Sequence, residues 1–150
     1  MRLLDANILM YASFDAFPQH VRTKKWLDAR LNDSNTPLGI PWESILAFVR
    51  LSSNPRVMQP AISVSEAWSQ VQSWLSMPCV WMPVATDRHR HYLDSFLNIP
   101  DANYKLVADA HLAALAIEHG LVMVSADSDF HLFPGLRVED PTIKMCSAST

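Results

Sequence analysis

The sequence predicts an α/β domain with a mostly parallel central sheet flanked by helices. Two observations carry that expectation. Short apolar runs alternate along the chain with longer stretches of helical periodicity, and Gly, Pro, Asn or Ser clusters separate them. The bulk numbers agree: 150 residues, 49% apolar and 18% charged, describe one globular domain spanning 1–150 rather than a disordered chain.

The elements follow in order. Residues 2–4 read as a short strand that ends at Asp5, with Asn7 just after it. A helical pattern begins near Pro18, with Val21, Trp26, Leu27 and Leu31 recurring at helical spacing, and it stops at NDSNTP. LGIP at 38–41 is a short apolar run closed by Pro41. WESILAFVRLSSNP at 42–55 reads as a helix with Ile45, Leu46, Phe48 and Val49 to one side. SVSEAWSQVQSWL at 63–75 opens on a capping box, Ser63 with Glu66, and carries Trp68, Val71 and Leu75 as its stripe. VWMPV at 80–84 reads as a buried strand, and 86–98 as a polar helix with Tyr92, Leu93, Phe96 and Leu97 inward. Asn103 caps a long helix to His119, which Gly120 ends. LVMVS at 121–125 is a strand followed by ADSDF, residues 136–138 form a last short strand, and the tail after about 141 is expected to be loose.

Composition also excludes some classes. The net charge of −3 argues against a generic basic nucleic-acid clamp, although a bound cation would supply positive charge that the count misses. Cys79 and Cys146 are far apart with no CxxC, so reduced thiols are expected rather than a disulfide framework or a zinc site. No stretch approaches the roughly 18 to 20 apolar residues of a membrane span. Asp5 and Asn7 spoil the first apolar run as a signal peptide, so a cytoplasmic location is expected.

The acids carry the chemistry. In parallel α/β sheets ligands bind beyond the carboxyl ends of the strands. Asp5 ends one strand here, and Asp127 and Asp129 follow another. Each could equally be a helix cap or an Asx turn. Asp109 shares its helix face with Leu106, Leu112, Ala113 and Ala116, where a carboxylate is out of place unless Lys105 pairs with it. Glu43 lies in the first turn of its helix, which suits the helix dipole or an inward tilt. If the acids converge they repel: two carboxylates about 4 Å apart cost roughly 4 kcal/mol at an effective dielectric of about 20. A hard divalent ion, Mg²⁺ or Mn²⁺, relieves that repulsion, and Asn7 would orient Asp5 from behind.

LLDANIL, PWESILAFVRLSSNP, DAHLAALAIEHGL and VSADSDF-HLFPGL occur in this order and span nearly the whole chain. Together they resemble the PIN-domain ribonucleases of the VapC toxin type. The resemblance implies a PIN-like fold and a metal-dependent endoribonuclease, the toxin of a type II toxin–antitoxin pair, acting on structured RNA such as tRNA or ribosomal RNA. Residue by residue, it implies a catalytic set of Asp5, Glu43, Asp109 and Asp127, with Asp5, Asp109 and Asp127 as metal ligands and Asn7, Ser125 and Asp129 in support. It further implies a small VapB-type antitoxin and a homodimer.

The basic residues are weaker signals. Arg50, seven residues after Glu43, is a candidate RNA contact or the partner of an acid; Arg88 and Arg90 in RHRH are further candidates, although RHRH, like the cluster of Arg22, Lys24 and Lys25, reads more readily as a solvated face. His111 and His119 are expected at the surface or a helix end. A haloacid dehalogenase-type phosphatase would also place an Asp after the first strand. It needs a second Asp two residues on, where this chain has Asn7. A non-catalytic binding module of the same fold is the other alternative, and the complete acid set weighs against it.

Overall fold

The computed structural model describes residues 1–143, so Cys146 and most of the tail lie outside the described residues. Five strands form one parallel sheet: β1 (Arg2–Leu4), β2 (Leu38–Gly39), β3 (Val80–Trp81), β4 (Val122–Val124) and β5 (Val138–Glu139). Their order across the sheet is β3-β2-β1-β4-β5. The chain winds outward from β1 in one direction, then returns to the other side of β1 with β4. The carboxyl ends of β1 and β4 therefore flank the point where the winding reverses, which is where open α/β sheets leave a crevice.

Among the described residues six helices cover the sheet: α1 (Ala6–Ser13), α2 (His20–Leu31), α3 (Trp42–Ser52), α4 (Val64–Leu75), α5 (His89–Leu97) and α6 (Val107–Glu118). Alternation along the strands divides the core. Leu4 and Val124 face the cluster of Ile8, Leu9, Ile45, Phe48, Val71 and Trp74; Leu3 and Met123 face that of Phe96, Ala110, Ala113, Leu115 and Phe130. Both faces are covered, as a parallel sheet requires.

Several boundaries depart from the sequence pattern. α1 was not marked by periodicity, because NILMYA is apolar almost all round; it is the cap that starts it, Asp5 accepting from the Ala6 N–H at 2.7 Å. The expected helix from Asn103 divides into a 3₁₀ turn, Tyr104–Leu106, and then α6; Gly120 ends it with φ +68°, in the left-handed region that suits glycine. β3 stops at Trp81, before Pro83, and β5 is shifted to Val138–Glu139. Four residues expected inward face solvent: Val21 is 79% exposed, Leu46 59%, and Trp68 and Leu97 38% each. The capping box of α4 forms as expected, with Glu66 N–H donating to Ser63 Oγ and Ser63 N–H to the Glu66 carboxylate. Thr142, expected in a loose tail, is tied in: its carbonyl accepts from Arg22, and its N–H donates to Asp140.

Gly39 shows how closely β2 is packed. A Cβ there would lie 2.7 Å from Pro83 Cγ and 3.2 Å from the Arg2 carbonyl oxygen. Gly39→Ala should therefore destabilise the fold by about 1–3 kcal/mol, the usual range for overpacking, read as a lower urea midpoint at unchanged m-value. A midpoint equal to the wild type would mean that Pro83 yields freely.

Candidate metal centre

The centre is built around a buried hydroxyl. Ser125, at the end of β4, donates to Asp5 Oδ2 at 2.7 Å and accepts from Asn7 Nδ2 at 3.1 Å and the Asp127 N–H at 3.0 Å. One donor and two lone pairs are all that a serine hydroxyl has, and all are used. Asn7 closes the loop by accepting from the Ala126 N–H at 3.3 Å. The Asp5 N–H donates to the Val124 carbonyl, so backbone and side chains together clasp the ends of β1 and β4. Asn7 and Ser125 thus hydrogen-bond to the segments that carry Asp5 and Asp127.

The remaining acids arrive on helix starts. Ser44 Oγ donates to the Leu4 carbonyl at 2.7 Å, which pins the start of α3, and Glu43 with it, beside the end of β1. The 3₁₀ turn before α6 puts Asp109 in that helix's first turn instead of mid-helix. Asp127 caps the 3₁₀ turn Ser128–Leu132, accepting from the Asp129 N–H at 2.9 Å. Each acid therefore lies where backbone N–H groups stabilise negative charge.

Asp5, Glu43, Asp109 and Arg50 line one cleft of about 300 Å³. The tightest convergence is slightly different from the expected ligand set. One carboxylate oxygen from each of Asp109, Asp127 and Asp129 lies within 4.8 Å of the others, and Asp5 is not in that group. Asp129, expected only in support, joins the centre, because the 3₁₀ turn brings it beside Asp127. Asp5 spends both oxygens locally, on Ala6 N–H and Ser125. Lys105 makes no ion pair with Asp109; its Nζ lies 5.9 Å from the Tyr104 ring.

Electrostatics mark the same place. Burial, then the charges of Asp127, Asp5 and Asp129, push the Asp109 carboxyl up from 3.8 to about 6. Burial also raises Asp5, against the lowering effect of its bonds from Ser125 and Ala6, and Asp127 adds to the rise. Three partly exposed carboxylates with hard oxygen donors and no Lys or Arg among them form a donor set that fits a divalent cation.

Of the basic candidates, Arg50 borders the cleft. Arg90 is exposed on α5. Arg88 is engaged elsewhere, its guanidinium donating to the Glu118 carbonyl, so it serves the fold. His111, expected at the surface, instead contacts Glu43: Nε2 lies 2.6 Å from Oε1. His89 and Glu118 continue that contact inward, and nothing local in the sequence marks them. They come from separate segments that only the fold brings together.

Fold and site define a class: a PIN-like α/β domain with a carboxylate cleft at the switch point, suited to a divalent cation. No family model matches the sequence. The chain is 38% identical over 141 residues to ribonuclease VapC37 of Mycobacterium tuberculosis, covering 94% of this chain and 97% of that protein. Its fold is similar to VapBC2 from Rickettsia felis, solved bound to a promoter DNA fragment, with a TM-score of 0.65 at 15% identity over 93% of this chain and 97% of that one. It is also similar to Mycobacterium tuberculosis VapC20, described as a sarcin-ricin loop cleaving toxin, with a TM-score of 0.62 at 14% identity over 87% and 93% of the two chains. The chain belongs to the VapC ribonuclease family.

Two stability predictions follow from this geometry. Ser125→Ala leaves Asp5, Asn7 and the Asp127 N–H short of a partner, and should cost about 1–3 kcal/mol in chemical unfolding. Asp109 gives a pH signature. It ionises near 3.8 when unfolded but near 6 in the fold, so the folded state holds the extra proton between those values. Stability therefore falls as pH rises through that window, and the repulsive cost is fully present above it. Metal-free Asp109→Asn should melt above the wild type at pH 7, with the gain vanishing toward pH 4. A lower melting temperature at pH 7 would contradict the repulsion.

Proposed function

We propose that this chain is a Mg²⁺- or Mn²⁺-dependent endoribonuclease and the toxin of a type II toxin–antitoxin pair. The observation that carries the reading is the convergence of Asp109, Asp127 and Asp129 at the β1/β4 switch point, in a chain that belongs to the VapC family. Asp109, Asp127 and Asp129 would hold the ion, with Asp5 beside them. A bound divalent ion supplies Lewis acidity and offsets negative charge developing at phosphorus. Among the described residues Glu43 Oε2 has no hydrogen-bond partner, so this oxygen is free to orient water or take its proton. Arg50, bordering the same cleft, would pair with a phosphate of the substrate.

The phosphatase alternative loses its acid. Both ends of the Asn7 amide are committed to Ser125 and Ala126, so the residue holds the loop and moves no proton. The substrate is taken to be structured RNA, tRNA or ribosomal RNA. A VapB-type antitoxin as partner is supported by solved neighbours that are VapBC complexes, and by Leu46, which borders the cleft and is 59% exposed. The exposed Trp42 and Trp68 suit apolar contacts of an antitoxin or of a homodimer. No helix among the described residues is long and apolar enough to cross a membrane, and we place the protein in the cytoplasm.

Incubation with total RNA and Mg²⁺ or Mn²⁺ should yield fragments with ligatable 5′-phosphates and 3′-hydroxyls, because water attacks phosphorus rather than the 2′-hydroxyl. EDTA should abolish cleavage. Asp109→Asn and Asp127→Asn should each lose at least tenfold in Mn²⁺ affinity by calorimetry, and wild-type affinity should weaken below about pH 6 as Asp109 keeps its proton. Cleavage that survives EDTA, or cyclic-phosphate ends, would falsify this mechanism.

A further inference from the structure

Glu43 differs from the other acids of the cleft. It caps no helix, and among the described residues its carboxylate has one hydrogen-bonding partner, His111. His111 is itself held: its Nδ1 lies 2.9 Å from His89 Nε2, with the two rings edge to face at 4.8 Å between centroids. His89 Nδ1 lies 3.2 Å from Glu118 Oε1. The Glu118 side chain is fully buried at the end of α6, its oxygens also accepting from the Thr86 N–H at 3.3 Å and the Thr86 hydroxyl at 3.2 Å. A chain of four side chains thus runs from the mouth of the cleft into the core: Glu43, His111, His89, Glu118.

Each link constrains the next. A carboxylate only accepts, so His111 must carry a hydrogen on Nε2 to bind Glu43, and His89 must carry one on Nδ1 to bind Glu118. The contact between His111 Nδ1 and His89 Nε2 needs a third hydrogen, so the two rings together hold one more than a pair of neutral imidazoles. That fixes both rings, and Thr86 fixes Glu118. The anchor is rigid because it is buried, whereas Glu43 is 45% exposed on the first turn of α3. Without His111 the Glu43 side chain would sample solvent rotamers.

We propose that His111 is the positioning residue for Glu43, with His89 and Glu118 as its anchor, so that the buried end of α6 sets where the cleft's exposed glutamate stands. The proposal rests on reading the cleft as a ribonuclease centre. In such centres the groups that hold a functional side chain contribute about ten- to a hundredfold. The contact joins α3 to α6, the two helices whose first turns supply Glu43 and Asp109, so it also fixes the spacing of those two acids.

The test uses the full chain and two readouts. Nitrogen-15 spectra of the imidazoles, recorded without metal, should show hydrogens on His111 Nε2 and His89 Nδ1. Glu43→Gln should shift the His111 nitrogens while leaving those of His20 and His131 unmoved. In Mn²⁺-supported cleavage of total RNA, His111→Ala should lower kcat about ten- to a hundredfold with KM within twofold. His111→Gln, which keeps an N–H donor for Glu43, should recover most of that loss. His111 nitrogens that ignore Glu43→Gln overturn the proposal. So does a His111→Ala enzyme within twofold of wild type, or a loss that follows melting temperature and that Gln does not rescue. If the wild type cleaves no RNA, the nuclease reading fails by itself, and the imidazole spectra still decide whether His111 holds Glu43.

Discussion

Repulsion between carboxylates is the constraint from which this molecule's architecture follows. Asp109, Asp127 and Asp129 bring oxygens within 4.8 Å of one another, with Asp5 close enough that its charge raises the Asp109 pKa. The chain answers with backbone, not with lysines or arginines. Asp5 caps α1, Asp127 caps a 3₁₀ turn, Asp109 and Glu43 occupy the first turns of α6 and α3, and Asp129 the first turn after Asp127. Helix starts present unpaired N–H groups and partial positive charge, which tolerate anions without neutralising them. What remains unneutralised is the charge that a divalent ion offsets. A lysine in the cluster would have stabilised the metal-free fold and removed the reason to bind an ion.

The clasp at Ser125 makes this arrangement possible. Asp5 belongs to β1 and Asp127 to the segment after β4, strands separated by more than a hundred residues of sequence. Parallel pairing of β1 with β4 sets their register, Leu4 opposite Val124, so the residues just beyond them meet. The hydroxyl then uses its single hydrogen on Asp5 and its lone pairs on Asn7 and the Asp127 N–H. Asp5 thus does two jobs that looked like alternatives from sequence: it starts a helix, and it borders the metal cleft. Its two oxygens are both held locally, Oδ1 accepting from the Ala6 N–H and Oδ2 from Ser125.

How much of this could be read in the chain depends on whether the signal is local. Alternation of apolar runs and helical stretches fixed the α/β class. Asp5, Glu43, Asp109 and Asp127 were visible because each interrupts a pattern or follows a strand. The capping box at Ser63 formed as read, because its partners are three residues apart. Non-local features were hidden. Val21 looked inward by spacing but faces solvent, while Leu27 is buried with Trp26 and Leu31 packed beside it, and Leu46 faces the cleft instead of the sheet. Asp129 came within reach of Asp109 and Asp127 through the geometry of a 3₁₀ turn, which spacing alone does not give. His111 and Glu118 lie on α6 and His89 on α5, so the three meet only when α5 packs on α6.

The charge of the substrate sharpens what the cleft must do. RNA is a polyanion, and the chain carries a net charge of −3. Among the described residues bordering the cleft, Arg50 is the single Lys or Arg against Asp5, Glu43 and Asp109. Arg88 adds no second one: it is turned toward the Glu118 carbonyl and holds the loop before α5. A phosphate entering this cleft without a divalent ion therefore meets net repulsion at short range, where screening by salt is weakest. Substrate affinity and metal occupancy are consequently linked: whatever removes the ion also lowers affinity for RNA, beyond its effect on the chemical step. The same reasoning favours an acid-free, apolar approach by a protein partner, and the exposed Leu46 at the rim offers a contact that needs no ion at all.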